Sequence, residues 1–141
     1  LSGIHALIIP GTSKIPLANS PLDNQVGIWS ILAELMAPPL SAQKDRFVAE
    51  LDYDAMGSSI SIRTRRPGDR FQPLGVQSYK RGKKLQDFFV NVGIPRGQRD
   101  QVPVVVTSKG IAWVIGWRIA HWARVTPKTK SILRLEFSNG I

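Results

Sequence analysis

The sequence contains no cysteine. That excludes a disulfide framework, a thiolate metal site and a cysteine nucleophile. Imidazole is scarce as well, with only His5 and His121, so a zinc site is not expected. No stretch approaches the roughly 20 apolar residues that span a bilayer as a helix. The longest nearly continuous apolar run, "IAWVIGW" from Ile111 to Trp117, is far shorter, and a membrane partner is not expected. No charged segment followed by an apolar one opens the chain. Its first residue is Leu1 rather than methionine, so the N-terminus is expected to be cut rather than natural. Nucleophile motifs of the G-x-S-x-G kind are missing, and no catalytic constellation can be assembled from the residues present.

The scarcest feature of the second half is negative charge. Residues 59–141 hold sixteen Lys and Arg but only Asp69, Asp87, Asp100 and Glu136, a net charge of +12. Residues 1–58 hold Lys14, Lys44 and Arg46 against six acids, a net charge of −3. Such asymmetry points to a polyanionic partner for the second half, with nucleic acid ahead of an anionic membrane surface. It also places an internal boundary near Gly57, between a segment 1–58 and a basic domain 59–141. With 141 residues, 43% of them hydrophobic, the chain can bury a core.

Periodicity predicts a mainly β protein. "GIHALIIPG" and "TSKIP" read as two strands of a hairpin or meander. "GIWSILAELMA" fits a strand or a helical stripe and is taken as a strand, and "RFVAEL" alternates as a half-buried strand does. From Ser59, Ile60, Ile62 and Thr64 alternate with Ser61, Arg63 and Arg65, which puts both arginines on a solvent face about 6 to 7 Å apart, a ladder for neighbouring phosphates. "KKLQDFFVNVG" places Leu85, Phe88, Phe89 and Val92 on one face and ends on Gly93, so it is predicted to be an amphipathic helix with Lys83 and Lys84 in its first turn. "PVVV" and "IAWVIGW" flank "TSKG" as a hairpin, and "SILRLEF" is the closing strand.

The stretch "RRPGDR" carries the most specific chemistry. Pro67 fixes φ and Gly68 supplies the positive φ of a type II turn, which makes the bend rigid. Asp69 can brace it by pairing with Arg66 or Arg70 or by accepting backbone N–H groups, leaving the other guanidinium groups to grip phosphate oxygens. The expected RNA-binding residues are Arg63, Arg65, Arg66, Arg70, Lys83, Lys84, Arg96, Arg99 and Arg118, with Pro67, Gly68 and Asp69 as the structural brace. Lys80 and Arg81 belong to the same basic cluster. Phe71, Tyr79, Trp113, Trp117 and Trp122 offer aromatic surface, with Phe71 and Trp113 expected in the core. "RGKK" is not a phosphate-binding P-loop, because the glycine spacing is wrong and Lys84 stands where Ser or Thr should hold magnesium.

Four blocks in order, "IRTRRPGDRFQPLG", "KKLQDFF", "IPRGQRDQVPVV" and "IAWVIGWRI", followed by "LRLEF", resemble the C-terminal domain of bacterial tRNA(Ile)-lysidine synthase over about residues 59–137. Residues 1–58 resemble that family's linking segment mainly through "IPG" and "ELDYDAMG". The resemblance implies a layered antiparallel β-sandwich-like domain with one helix, similar to a β-rich domain of phenylalanyl-tRNA synthetase and preceded by a small β-rich segment. It implies a noncatalytic, cytoplasmic module that docks the acceptor stem of a tRNA. The parent ligase would join lysine to the wobble cytidine of an isoleucine tRNA, with ATP and Mg used by an N-terminal catalytic domain carrying an S-G-G-x-D-S loop. That loop does not occur here, so no cofactor is expected in this chain. The further partners implied are the catalytic domain itself and a possible homodimer. The alternative is a structural or protein-interaction domain whose basic surface meets an acidic protein.

Overall fold

A computed structural model describes residues 3–16, 28–41, 45–75 and 82–140. Its described strands form two larger antiparallel sheets and a small ribbon. The five-stranded sheet has the order β1 (His5–Ala6), β5 (Ser61–Thr64), β8 (Pro103–Thr107), β9 (Gly110–Val114), β10 (Arg118–Ile119). The four-stranded sheet has the order β2 (Gly11–Pro16), β3 (Ile28–Met36), β11 (Ile132–Gly140), β4 (Val48–Asp52). β6 (Arg70–Phe71) and β7 (Lys83–Lys84) pair as the ribbon. Two helices, α1 (Tyr53–Met56) and α2 (Leu85–Asn91), and short 3₁₀ turns at Arg96–Gln101 and His121–Ala123 complete the described elements.

Both larger sheets contribute to one core. Ile31, Leu51, Leu133 and Leu135 of one sheet join Ile62, Val104, Val105 and Val114 of the other, each at most 1% exposed. β11 shows the alternation that makes this possible, with Leu133, Leu135 and Phe137 buried between half-buried Arg134 and exposed Glu136. β8 and β9 are buried at consecutive positions, so both of their faces are covered. Residues 28–36 are a strand because Trp29, Ile31 and Ala33 alternate inward and pair with β11 along its whole length.

The expected hairpin near the N-terminus does not form. β1 pairs with β5 and β2 pairs with β3, so the chain passes from one sheet to the other at Ile8–Pro10. Alternation in two adjacent runs fixes which side chains face inward but not which strand each run pairs with. β11, from the basic part of the sequence, lies between β3 and β4 of the acidic part, and β1 adds to the sheet containing β5. The strands on either side of residue 58 are therefore interleaved, and the change of charge sign near Gly57 does not separate one sheet from the other.

α2 buries Leu85, Phe88 and Phe89 and stops where glycine allows it. Gly93, at φ +78°, donates to the Val90 carbonyl and Ile94 donates to that of Phe89, the paired bonds of a Schellman ending. Its beginning differs from expectation. Lys83 and Lys84 lie in β7, and Lys84 is the residue preceding the first helical turn. The β6–β7 ladder holds them extended, so neither lysine sits inside the helix against its dipole.

Candidate nucleic-acid interface

The bend after β5 is a type II turn. The Arg66 carbonyl accepts from the Asp69 N–H at 3.1 Å, and Gly68 has the positive φ, +85°, that this turn demands. Asp69 is the brace, although its side-chain partner is neither Arg66 nor Arg70. Its two carboxylate oxygens accept from Nη1 and Nη2 of Arg63 at 2.8 and 3.0 Å. Oδ2 also accepts from the Arg66 backbone N–H at 2.7 Å, and the Asp69 carbonyl accepts from the N–H of Leu85 at 2.8 Å. One residue therefore ties strand, bend and helix start together.

Arg63 does not face solvent as strand alternation suggested. The bend folds back over that face of β5, leaving the Arg63 and Asp69 side chains 12% and 13% exposed. Arg63 further donates to the Thr64 carbonyl at 3.0 Å. Its fork is filled, which makes it part of the scaffold. Burial alone pushes the Asp69 carboxyl up. The Arg63 hydrogen bond, the Arg66 backbone N–H and the charges of both arginines outweigh it, and the net shift is below the ordinary value of 3.8. A carboxyl lowered in the folded state binds fewer protons there than in the unfolded chain, so its stabilisation is complete above about pH 4 and is lost as pH falls through the folded value. Acid titration of unfolding should therefore show stability falling below that pH in the wild type. Asp69→Asn should flatten this limb, and an unchanged limb would remove Asp69 as its source.

Arg65 leaves the strand and is half-buried. Its Nε donates to Asp100 at 2.7 Å, and its guanidinium lies 5.6 Å from the Phe89 ring centroid. Asp100 is 78% exposed, so the pair itself stabilises the fold by only about 0 to 1 kcal/mol. Its effect is to hold the guanidinium at the wall of a cleft of about 390 Å³. Arg66 and Lys84, both exposed, stand on the same cleft, and neither belongs to an ion pair within 4.0 Å among the described residues. A second cleft, also of about 390 Å³, shares Lys84 and is lined by Arg70 and Lys83. Arg70 donates to the Gly82 carbonyl at 3.0 Å, and Arg99 donates to that of Ile94 at 3.0 Å. Arg96 is exposed at the start of its 3₁₀ turn, and Arg118 is exposed on β10. Lys80, Arg81 and Tyr79 lie outside the described residues.

Sheet register brings distant parts of the sequence together. Thr64 pairs with Pro103, Val104 with Val114, and Val114 with Arg118. The "RRPGDR" bend, the Arg96–Gln101 turn that leads into β8 and the β9–β10 turn therefore all emerge from one end of the five-stranded sheet. Arg65, Arg66, Arg96, Arg99 and Arg118 share that end. Among the aromatics, Phe71 and Trp113 are core residues at 2% exposure, Trp122 is half-buried, and Trp117 is 37% exposed. Nδ1 of His121 accepts from the Gly75 N–H at 3.2 Å, which makes it a packing residue. Among the described residues no group of three or more His, Asp or Glu is placed to hold a metal ion.

Sequence reasoning missed three residues. Asp100 lies 35 positions from Arg65, and only the pairing of β5 with β8 makes them neighbours. Arg46, in the acidic half, donates from Nε to the Gly116 carbonyl 70 positions away. Gly82 packs directly on the backbone of Phe71, a role that its place in "KRGKK" does not signal.

The family described as TilS substrate C-terminal domain matches residues 60–136. The chain belongs to that family. Curated relatives named tRNA(Ile)-lysidine synthase include one from Dehalococcoides mccartyi, 39% identical over 77% of this chain and 23% of its own length. Another, from Clostridium perfringens, is 37% identical over 82% and 24%. One from Symbiobacterium thermophilum is 36% identical over 96% and 26%. The chain thus spans about a quarter of the length of the curated relatives it matches. The mainly β fold is that of a crystal structure of a TilS C-terminal domain, superposing with a TM-score of 0.71 at 25% identity over 97% of this chain and 96% of that one.

Proposed function

We propose that this TilS-family C-terminal domain docks the acceptor stem of a tRNA for a tRNA(Ile)-lysidine synthase. In this reading the ATP-dependent joining of lysine to the wobble cytidine takes place in the cytoplasm, in a catalytic domain outside the present sequence. ATP and Mg²⁺ are assigned to that domain because the S-G-G-x-D-S loop is absent from this sequence. The observation that carries the reading is the set of basic groups at one end of the five-stranded sheet, with exposed Arg66 and Lys84 lining one cleft and Arg65 fixed on the same cleft by Asp100. A-form stems are read through phosphates, 2′-hydroxyls and shape, and a rigid arginine-rich rim suits that chemistry. Binding energy in this arrangement comes chiefly from release of counterions as phosphates are neutralised.

Gel filtration of the chain with and without an acceptor-stem RNA duplex tests this. The chain is expected to co-elute with the duplex at low salt, to release it as salt rises, and to assemble with nothing in its absence. Salt-insensitive self-assembly without RNA, and no co-elution with it, would instead favour a protein-interaction domain or homodimer.

A further inference from the structure

The Val114–Trp117 turn closes with the Trp117 N–H donating to the Val114 carbonyl at 2.9 Å and with Gly116 at φ +88°. The 45–47 segment packs onto it: a Cβ on Gly116 would meet the Phe47 ring at 3.1 Å. Phe47 is itself anchored, its carbonyl accepting from the Phe137 N–H at 2.8 Å and its N–H donating to Asp45 Oδ1 at 2.9 Å. Between these two segments stands Arg46. Its guanidinium is 5.2 Å from the Phe47 ring centroid and 5.1 Å from that of Trp117, held by the Nε bond to the Gly116 carbonyl at 3.0 Å. Its terminal nitrogens make no hydrogen bond among the described residues. Trp117 remains 37% exposed and Phe47 40%, and Arg118, the next residue, is exposed with no ion pair within 4.0 Å among the described residues.

From this we infer a second nucleic-acid subsite, in which the Arg46–Trp117 pair stacks the base of an unpaired nucleotide while Arg46 Nη groups and Arg118 meet its phosphates. The inference rests on the RNA-docking reading and deepens it. A fixed indole with a guanidinium against it offers the flat, cation-flanked surface on which unpaired bases stack. Two acids lie near Arg46: Asp45, which accepts from the Phe47 N–H, and half-buried Glu50, which accepts from the Ser41 N–H. Neither forms an ion pair with Arg46 or Arg118 among the described residues, so both exposed guanidinium groups are open to an anionic ligand. The position agrees: this turn leaves the same end of the five-stranded sheet as the "RRPGDR" bend, two strands away across β8, about 10 Å in sheet spacing. In this proposal an RNA strand whose phosphates lie on Arg66 and Lys84 continues along this end of the sheet toward Trp117. A duplex keeps its bases stacked internally, so the occupant is a nucleotide beyond a helix end or in a bulge.

The test measures binding of the whole chain to three RNAs: a blunt duplex, the same duplex with a four-nucleotide unpaired 3′ extension, and that extension made abasic. The natural extension is expected to tighten binding about tenfold over blunt, in the range of one stacked base, and the abasic extension to restore the blunt value. Trp117→Leu should abolish the gain and Trp117→Phe should keep most of it, both remaining folded, as a cooperative melt would show, and both leaving blunt-duplex affinity as in wild type. Equal affinity for all three RNAs, an undiminished gain from the abasic extension, or an equal loss on blunt and extended RNA in Trp117→Leu would each overturn the inference. Failure of the docking reading is distinguishable, since it shows as blunt-duplex binding that ignores Arg66→Ala.

Discussion

Asp69→Ala is expected to lower unfolding free energy by about 3 kcal/mol, because removing one partner strands the other as a nearly buried, uncompensated charge. Arg63 would keep its place under the bend with only the Thr64 carbonyl as acceptor. Asp69 also accepts the Arg66 N–H and, through its carbonyl, holds Leu85, so the loss of the carboxylate loosens the bend while its backbone bond to α2 survives. Chemical denaturation measures the first effect. A double-mutant cycle with Arg63→Met isolates the pair: the combined variant should recover part of the loss, since an apolar residue tolerates that site better than an unpaired guanidinium. Fully additive losses would mean that the two side chains do not act as a unit.

Gly82→Ala should be comparably costly for a different reason. Gly82 has φ +73°, and a Cβ there would sit 2.6 Å from both the carbonyl carbon and oxygen of Phe71 and 2.9 Å from the Gln72 nitrogen. These neighbours are backbone atoms and cannot rotate away. Left-handed backbone costs a non-glycine residue about 1 to 2 kcal/mol and overpacking about 1 to 3 more, so a loss of roughly 3 kcal/mol and a fall in melting temperature on the order of 10 °C are expected. The displaced segment carries the acceptor for Arg70 and leads into Lys83 and Lys84. RNA affinity should therefore fall with stability, whereas Gly93→Ala, whose Cβ meets nothing within 4 Å, should cost only its backbone strain. Thermal melts of the two variants side by side separate steric clash from strain.

Most strands were legible because their side chains alternate over four or more residues, as in β3, β4 and β11, and α2 was legible because its stripe of Leu85, Phe88 and Phe89 ends on a glycine. Pairing was not. Nothing local in "HA" or "SILRLEF" states that the first joins β5 or that the second lies between β3 and β4. The site was legible in its charge and in the geometry of its turn, since Pro67, Gly68 and Asp69 encode a braced bend within four residues. Arg63 was misplaced because alternation identifies a face of the strand but not what later covers it, and here the bend itself does. Arg65 with Asp100, and Arg46 with Trp117, are products of sheet register, which a linear pattern of charges does not contain.

The central claim is that this end of the five-stranded sheet binds RNA through its phosphates, with Arg66 and Lys84 as two of the contacts. Its most direct test is the salt dependence of binding to an acceptor-stem duplex, wild type against the double variant Arg66→Ala/Lys84→Ala. Both side chains are exposed and outside the ion pairs of the described residues, so the variant should melt as the wild type does. The magnitude of the slope of log K against log salt should fall by about 2, one for each phosphate contact removed. A folded double variant with the wild-type slope and affinity would contradict the account.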